Sequence, residues 1–378
     1  MKVSIKDSEV LKRINPLDVS TYLAYKSWQL VNEIPNRASI WTYTDSTNNN
    51  EFEILLPLNP QFKDFPTRIS EIISTLEVVE SQTQTSILEK LQNVFANIIN
   101  LRLTDRDFHD GTIPINKGVD LHKNAKSLIL SAACSSVESK PFFERIKPDQ
   151  ATKYLQKVRL GQPKIGSYIL TIISPLNKPK DDAPQGAEQS SVSQQFSNIV
   201  VVKLRDSLQF TKNYIEYVIE ESETIQASEE IINNGVTANL CEALTAINSS
   251  GNNQGIEINF NWSPVVNEAL SQSAIRFEPS ILQRIEELGE KLRAYSSPDY
   301  QLTGNVIKLQ RKFSEDIGTV TVQAVIEGKT RNVQVHLYDV WYLRASQAHA
   351  TKHSITCRGD LRRDGQSYIL DNVTSFSD

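Results

Sequence analysis

The sequence predicts an α+β protein: a body of mixed helices and strands followed by a small closed β-barrel at the C-terminal end. Three observations lead there. A chain of 378 residues exceeds what one hydrophobic core organises, which points to two domains or two plus a small module. Strand-like and helix-like runs interleave without the regular βαβ order of a wound parallel sheet. Beyond Pro298 the apolar pattern changes to a period of two.

Apolar content of 39% and charged content of 22% are globular values, so the chain should fold. No apolar run reaches the roughly 18 residues of a membrane span. The first residues, Met1 to Asp7, turn polar at once and lack a secretory apolar stretch. The expectation is a cytoplasmic protein that engages no membrane. Net charge is −5, against a chain coated in basic residues for nucleic acid. The charge is uneven: residues 301–378 carry ten Lys and Arg against eight Asp and Glu, a local +2, leaving −7 on the rest.

The first helix begins after Asn15-Pro16-Leu17-Asp18, capped by Asp18 or Ser20, and its stripe runs from Tyr22 and Leu23 through Trp28 and Leu30 to Val31. Residues 39–43 and 52–56 are β-rich runs joined by the polar string 45–50, a hairpin with a long loop. A helix over 66–79 gathers Ile69, Ile72, Ile73 and Leu76 on one side, and another begins near Thr85. The apolar run 94–103 fits either the end of that helix or a strand. A short strand at 112–115 is predicted to lead into a helix over 119–137.

Pro148 starts a helix ended by Gly161, and 167–174 is a strand-length run closed by Pro175. Residues 177–195, rich in Lys, Asp, Pro, Gln and Ser, bury too little to order themselves and read as a loop or linker. A long helix from Phe196 to about Ile225, a polar break at 248–254, strands at 256–262 and 274–277, and an amphipathic helix over 279–295 follow. The domain reading is therefore 1–176 as an α+β domain, 177–195 as loop or linker, 196–297 as a mostly helical region packed on the first, and 298–378 as the barrel.

In that last segment the strands fall at 302–309, 318–327, 332–337, 354–361 and 367–370, with a helix at 339–350 between the third and fourth. A tight turn passes through Gly328, and Gly304 stands early in the first strand. This order of elements resembles an OB-fold, a five-stranded Greek-key barrel; SH3-like and other small barrels stay open at this stage. The resemblance covers about one fifth of the chain and implies a binding face on the second and third strands and adjoining loops, used for oligonucleotides or other polymers.

The positions that could serve there are Lys308, Arg311, Lys312 and Phe313 at the first turn, Lys329 and Arg331 at the second, and Arg358, Arg362 and Arg363 near the last hairpin. Against this, the second and third strands hold no aromatic residue before Tyr338. The plainer reading makes these cations ordinary solvated charges on a structural or docking module, with Trp341 and Tyr342 packed under the helix.

No phosphate-cradling GxxxxGK[ST], no GxGxxG, no GxSxG elbow, no HExxH and no Cys/His zinc pattern occurs. Arg102, Asp105, Arg106, Asp107, His109 and Asp110 gather carboxylates, an imidazole and guanidiniums ahead of a glycine. Such a cluster could hold Mg²⁺ or Mn²⁺ for phosphodiester hydrolysis or form a self-capping polar turn. His109-Asp110 resembles the His-Asp pair of HD phosphohydrolases as a dipeptide alone. His349 and His353 stand four apart, but the helix gives way near Lys352, so they diverge instead of sharing a metal. Cys134, Cys241 and Cys357 are too far apart for a framework, and the first two read as core.

The abundance of Asn, Gln and Ser, with Arg159-Leu160-Gly161-Gln162 ahead of Gly166-Ser167-Tyr168, resembles bacterial proteins encoded beside restriction or phage-defence genes. The functional expectation is a non-enzymatic bacterial accessory or scaffold protein, without a cofactor, binding nucleic acid or a partner protein through its barrel, in anti-phage defence. The alternative is a metal-dependent phosphodiesterase or nuclease centred on Asp105, Asp107, His109 and Asp110.

Overall fold

A computed structural model describes residues 5–45, 49–103, 112–144, 147–162, 168–178, 195–266, 273–312, 316–326, 328–364 and 367–378. The architecture is α+β, with two antiparallel sheets, their helices, and a closed five-stranded barrel in the C-terminal region.

The chain opens with α1 (Ser8–Leu11) and α2 (Pro16–Tyr25). Asn15 caps α2 by accepting from the Leu17 N–H, and Pro16 at the first helical position forfeits no bond. The expected helical stripe out to Val31 is corrected here: Leu30 and Val31 belong to β1 (Gln29–Ile34). Ser27 turns left-handed at φ 61°, and the Trp28 and Ser27 N–H groups donate to the Leu23 and Ala24 carbonyls, which ends the helix.

β1 pairs antiparallel with β2 (Ala38–Thr44), and β2 with β3 (Glu51–Pro57), the expected hairpin. α3 (Phe65–Glu80) and α4 (Gln84–Gln92) complete a core that buries Trp28, Trp41, Leu56, Phe65, Ile69 and Leu76.

The run 94–103 resolves as a strand, β4 (Ala96–Leu103). It is the middle of a sheet completed by β5 (Arg159–Leu160), β6 (Ile169–Pro175), β7 (Ile256–Asn261) and β8 (Ser273–Phe277), in the order β5-β6-β4-β7-β8 with every pair antiparallel. On β4, Ile99, Leu101 and Leu103 enter the core while Asn100 and Arg102 take the other face. The helices packed with this sheet are α5 (Ile115–Ser135), α6 (Asp149–Leu155), α7 (Phe196–Glu220), α8 (Glu229–Asn233), α9 (Ala238–Ser250) and α10 (Pro279–Arg293).

The strand expected at 112–115 is corrected as well. Residues 112–114 form no strand, and α5 starts at Ile115, four residues earlier than read from the sequence. Pro114 lacks an N–H for a sheet ladder and instead offers its carbonyl to the Gly118 N–H.

One core runs from Ile99 to Leu292 and draws on both sides of the 177–195 stretch. The ends of that stretch meet: the Asn177 N–H donates to the Gln195 Oε1 at 2.7 Å, and the Gln195 Nε2 donates back to the Asn177 carbonyl at 3.3 Å.

The barrel comprises β9 (Ser297–Gln310), β10 (Ile317–Ile326), β11 (Lys329–Tyr338), α11 (Asp339–Thr351), β12 (Ser354–Asp364) and β13 (Ser367–Ser377). The strands close in the order β9-β10-β11-β13-β12 and back to β9, antiparallel throughout except for the parallel pair β11 and β13. With the helix between the third and fourth strands, this is an OB-like topology. Alternate residues fill the interior, among them Val320, Val322, Val333, Val335, Leu337 and Leu370, while Ala345 and Ala348 of α11 pack on that core. Gly304 is required where strands crowd, because a Cβ there would lie 2.3 Å from the Gln323 carbonyl oxygen.

Candidate nucleic-acid interface

Since odd-numbered residues of β11 and even-numbered residues of β10 face inward, their neighbours form the outer face of the barrel. The register sets Lys308 beside Thr321 and Thr321 beside Gln334, then Gln310 beside Thr319 and Thr319 beside His336, and finally Ile317 beside Tyr338. On this face lies an open depression of about 280 Å³ lined by Lys308, Gln310, Arg311, Lys312, Ile317, Thr319, Thr321 and Gln334. Three cations thus share one concavity with two hydroxyls and two amides, a set that can hold phosphate oxygens by charge and by hydrogen bonds.

Of the positions expected from the sequence, Lys308, Arg311 and Lys312 come together here. Arg311 also pairs with Asp339 at the start of α11 and stacks its guanidinium 4.8 Å over the Tyr342 ring. Lys329 and Arg331 sit at the opposite end of the β10–β11 hairpin, on the inward-facing parity of β11. Arg358 lies on the β9–β12 side, bonded to Asp299 and Gln301. Arg362 reaches the same outer face indirectly: its Nε donates to Asp371 Oδ2 at 2.8 Å, and Asp371 Oδ1 lies 2.8 Å from His336 Nδ1. Burial pushes the Asp371 carboxyl upward, but the hydrogen bonds from His336 and Arg362 outweigh it and hold the group below the ordinary carboxylate range. Phe313 and the Arg363 side chain lie outside the described residues.

The residues that the sequence reading passed over are Gln310, Ile317, Thr319, Thr321, Gln334 and His336. The signal was present in the β10–β11 turn: once it sets the pairing, period-two alternation puts them on one face.

Asp105, Arg106, Asp107, His109 and Asp110 lie outside the described residues. Arg102, at the end of β4, is exposed and stands opposite Glu257 on the polar face of the central sheet. The Asn259 and Arg276 hydrogen bonds lower the Glu257 carboxyl. Among the described residues no group of three or more His, Cys, Asp and Glu could hold a metal ion. His349 and His353 diverge: His349 Nδ1 lies 2.7 Å from the Val306 carbonyl, and His353 follows Lys352, which turns left-handed at φ 59°. All three cysteines are buried, and desolvation raises each thiol, Cys134 to about 11 and Cys357 to about 12. No helix among the described residues is long and apolar enough to cross a membrane.

No family model, no curated protein and no solved structure matches this chain.

Proposed function

We propose that this chain is a non-enzymatic accessory protein that binds nucleic acid through the outer face of its barrel, across β9, β10 and β11. The observation that carries the reading is the convergence of Lys308 of the first strand, and of Arg311 and Lys312 just after it, on one polar depression that reaches across the second strand to the third, where the OB-like resemblance puts a binding face. The polar lining favours contact with phosphate and sugar, which fixes position without reading sequence. The accessory role rests on the missing catalytic and nucleotide motifs, and the bacterial phage-defence setting on resemblance in composition.

The test is titration of the full chain with labelled oligonucleotides over a series of salt concentrations. Binding that weakens steadily with salt supports the reading. Absence of salt-sensitive binding to DNA and RNA overturns it and turns the barrel into a protein-docking module.

A further inference from the structure

We infer that the ligand of this face is a single strand, one of whose bases stacks on Tyr338; the inference rests on the nucleic-acid reading above. Tyr338 is 65% exposed on the outer-face parity of β11 and is register-paired with Ile317, which is 42% exposed and lines the depression. Tyr338 therefore stands one strand over from a residue that lines the cationic groove. The backbone beneath it is held from both sides, since Leu337 is buried in the barrel core and Tyr338 itself is the N-cap of α11. Val340, two residues further on in α11, is 69% exposed. Among the described residues no hydrogen bond engages the Tyr338 hydroxyl, so the ring is not committed elsewhere.

A flat apolar ring beside clustered cations matches the two halves of an unpaired nucleotide, a π-face joined to an anion. In a duplex the base faces are stacked on one another and cannot reach such a ring, so the geometry selects an unpaired base. Lys308 is level with Gln334 across two inter-strand steps, roughly 10 Å, and Tyr338 lies four residues further along β11, roughly 13 Å, so a phosphate on Lys308 and a base on Tyr338, roughly 17 Å apart, come from different nucleotides of one strand. His336, two residues back on the same face, is engaged by Asp371, which leaves Tyr338 as the exposed aromatic of this face among the described residues of β10 and β11.

The experiment uses the full chain with three probes of equal length: single-stranded oligothymidine, a duplex, and an abasic strand that keeps the phosphates but lacks bases. The wild type is expected to bind oligothymidine about 5- to 150-fold more tightly than the abasic strand, the range of one base stacked on one ring, and more tightly than the duplex. Tyr338→Ala is expected to lose that factor on oligothymidine while binding the abasic strand as the wild type does, and Tyr338→Phe to keep it. Equal binding of intact and abasic strands by the wild type, preference for the duplex, or no effect of Tyr338→Ala on oligothymidine overturns the inference. If salt-sensitive binding persists in those cases, the nucleic-acid reading survives; loss of salt-sensitive binding to every probe removes both.

Discussion

Replacing Lys308 with alanine puts the cationic groove to a quantitative test. Lys308 is exposed, lines the depression, and among the described residues has no carboxylate partner, so removing it orphans no buried charge and leaves the barrel core untouched. Each cation–phosphate contact with a single strand contributes about 0.7 to the slope of log K against log salt, so three cations give about −2. Raising salt from about 50 to about 200 mM then weakens the wild type about twenty-fold, and a Lys308→Ala variant, with two contacts left, about seven-fold. Fluorescence anisotropy of a labelled oligothymidine, repeated across that range, reads both slopes directly. Arg358→Ala is the internal control, because Arg358 sits on the β9–β12 side with Asp299 and Gln301 and should leave the slope alone. An unchanged slope in Lys308→Ala, or an equal drop in Arg358→Ala, refutes the assignment of the groove as the phosphate track.

Three further outcomes follow from the geometry. Asp339→Asn removes the carboxylate paired with Arg311 and should tighten oligonucleotide binding in the same anisotropy assay, while costing about 0.3–1 kcal/mol in a urea titration because α11 loses the acidic group in its first turn. Asp371 is held below its ordinary pKa by His336 and Arg362, so its contribution is present above the unfolded carboxylate value and lost as pH falls through the depressed one; Asp371→Asn should flatten acid destabilisation below about pH 4 in thermal melts, and an unaltered acid limb would contradict the arrangement. Replacing residues 179–194 with a four-residue Gly/Ser bridge should be tolerated, since Asn177 and Gln195 already bond to each other; the loop-closure change is about 1 kcal/mol, in favour of the shorter chain, and a loss of several kcal/mol in denaturant unfolding would show that the ends are held apart.

The barrel was legible because half of each strand is buried and half is not. Val320, Val322 and Ala324 on β10, or Val333, Val335 and Leu337 on β11, write a period of two that a one-residue slip would turn outward. Where the reading failed, the local code was silent. α2 ends at Tyr25, two residues ahead of Ser27, which takes the left-handed conformation usually signalled by glycine, and so Trp28, Leu30 and Val31 looked like more of the same helix. At 112–115 the apolar residues around Pro114 have strand propensity, yet among the described residues no strand pairs with them.

The sequence alone determined the α+β class, the order of elements in the barrel, and the absence of phosphate-cradling, zinc and nucleophile motifs, because each is written in local spacing and residue type. Tertiary pairing decided the rest. It chose a strand for residues 96–103 by seating them between β6 and β7, and it sorted the basic residues, drawing Lys308, Arg311 and Lys312 into one groove while turning Lys329 and Arg331 to the far end and tying Arg358 to Asp299. Lys308, Arg311 and Lys312 are near neighbours along the chain, but Thr319, Thr321 and Gln334 join them only because strand register sets those side chains on the same face, and register is a property of the closed barrel, not of any one segment.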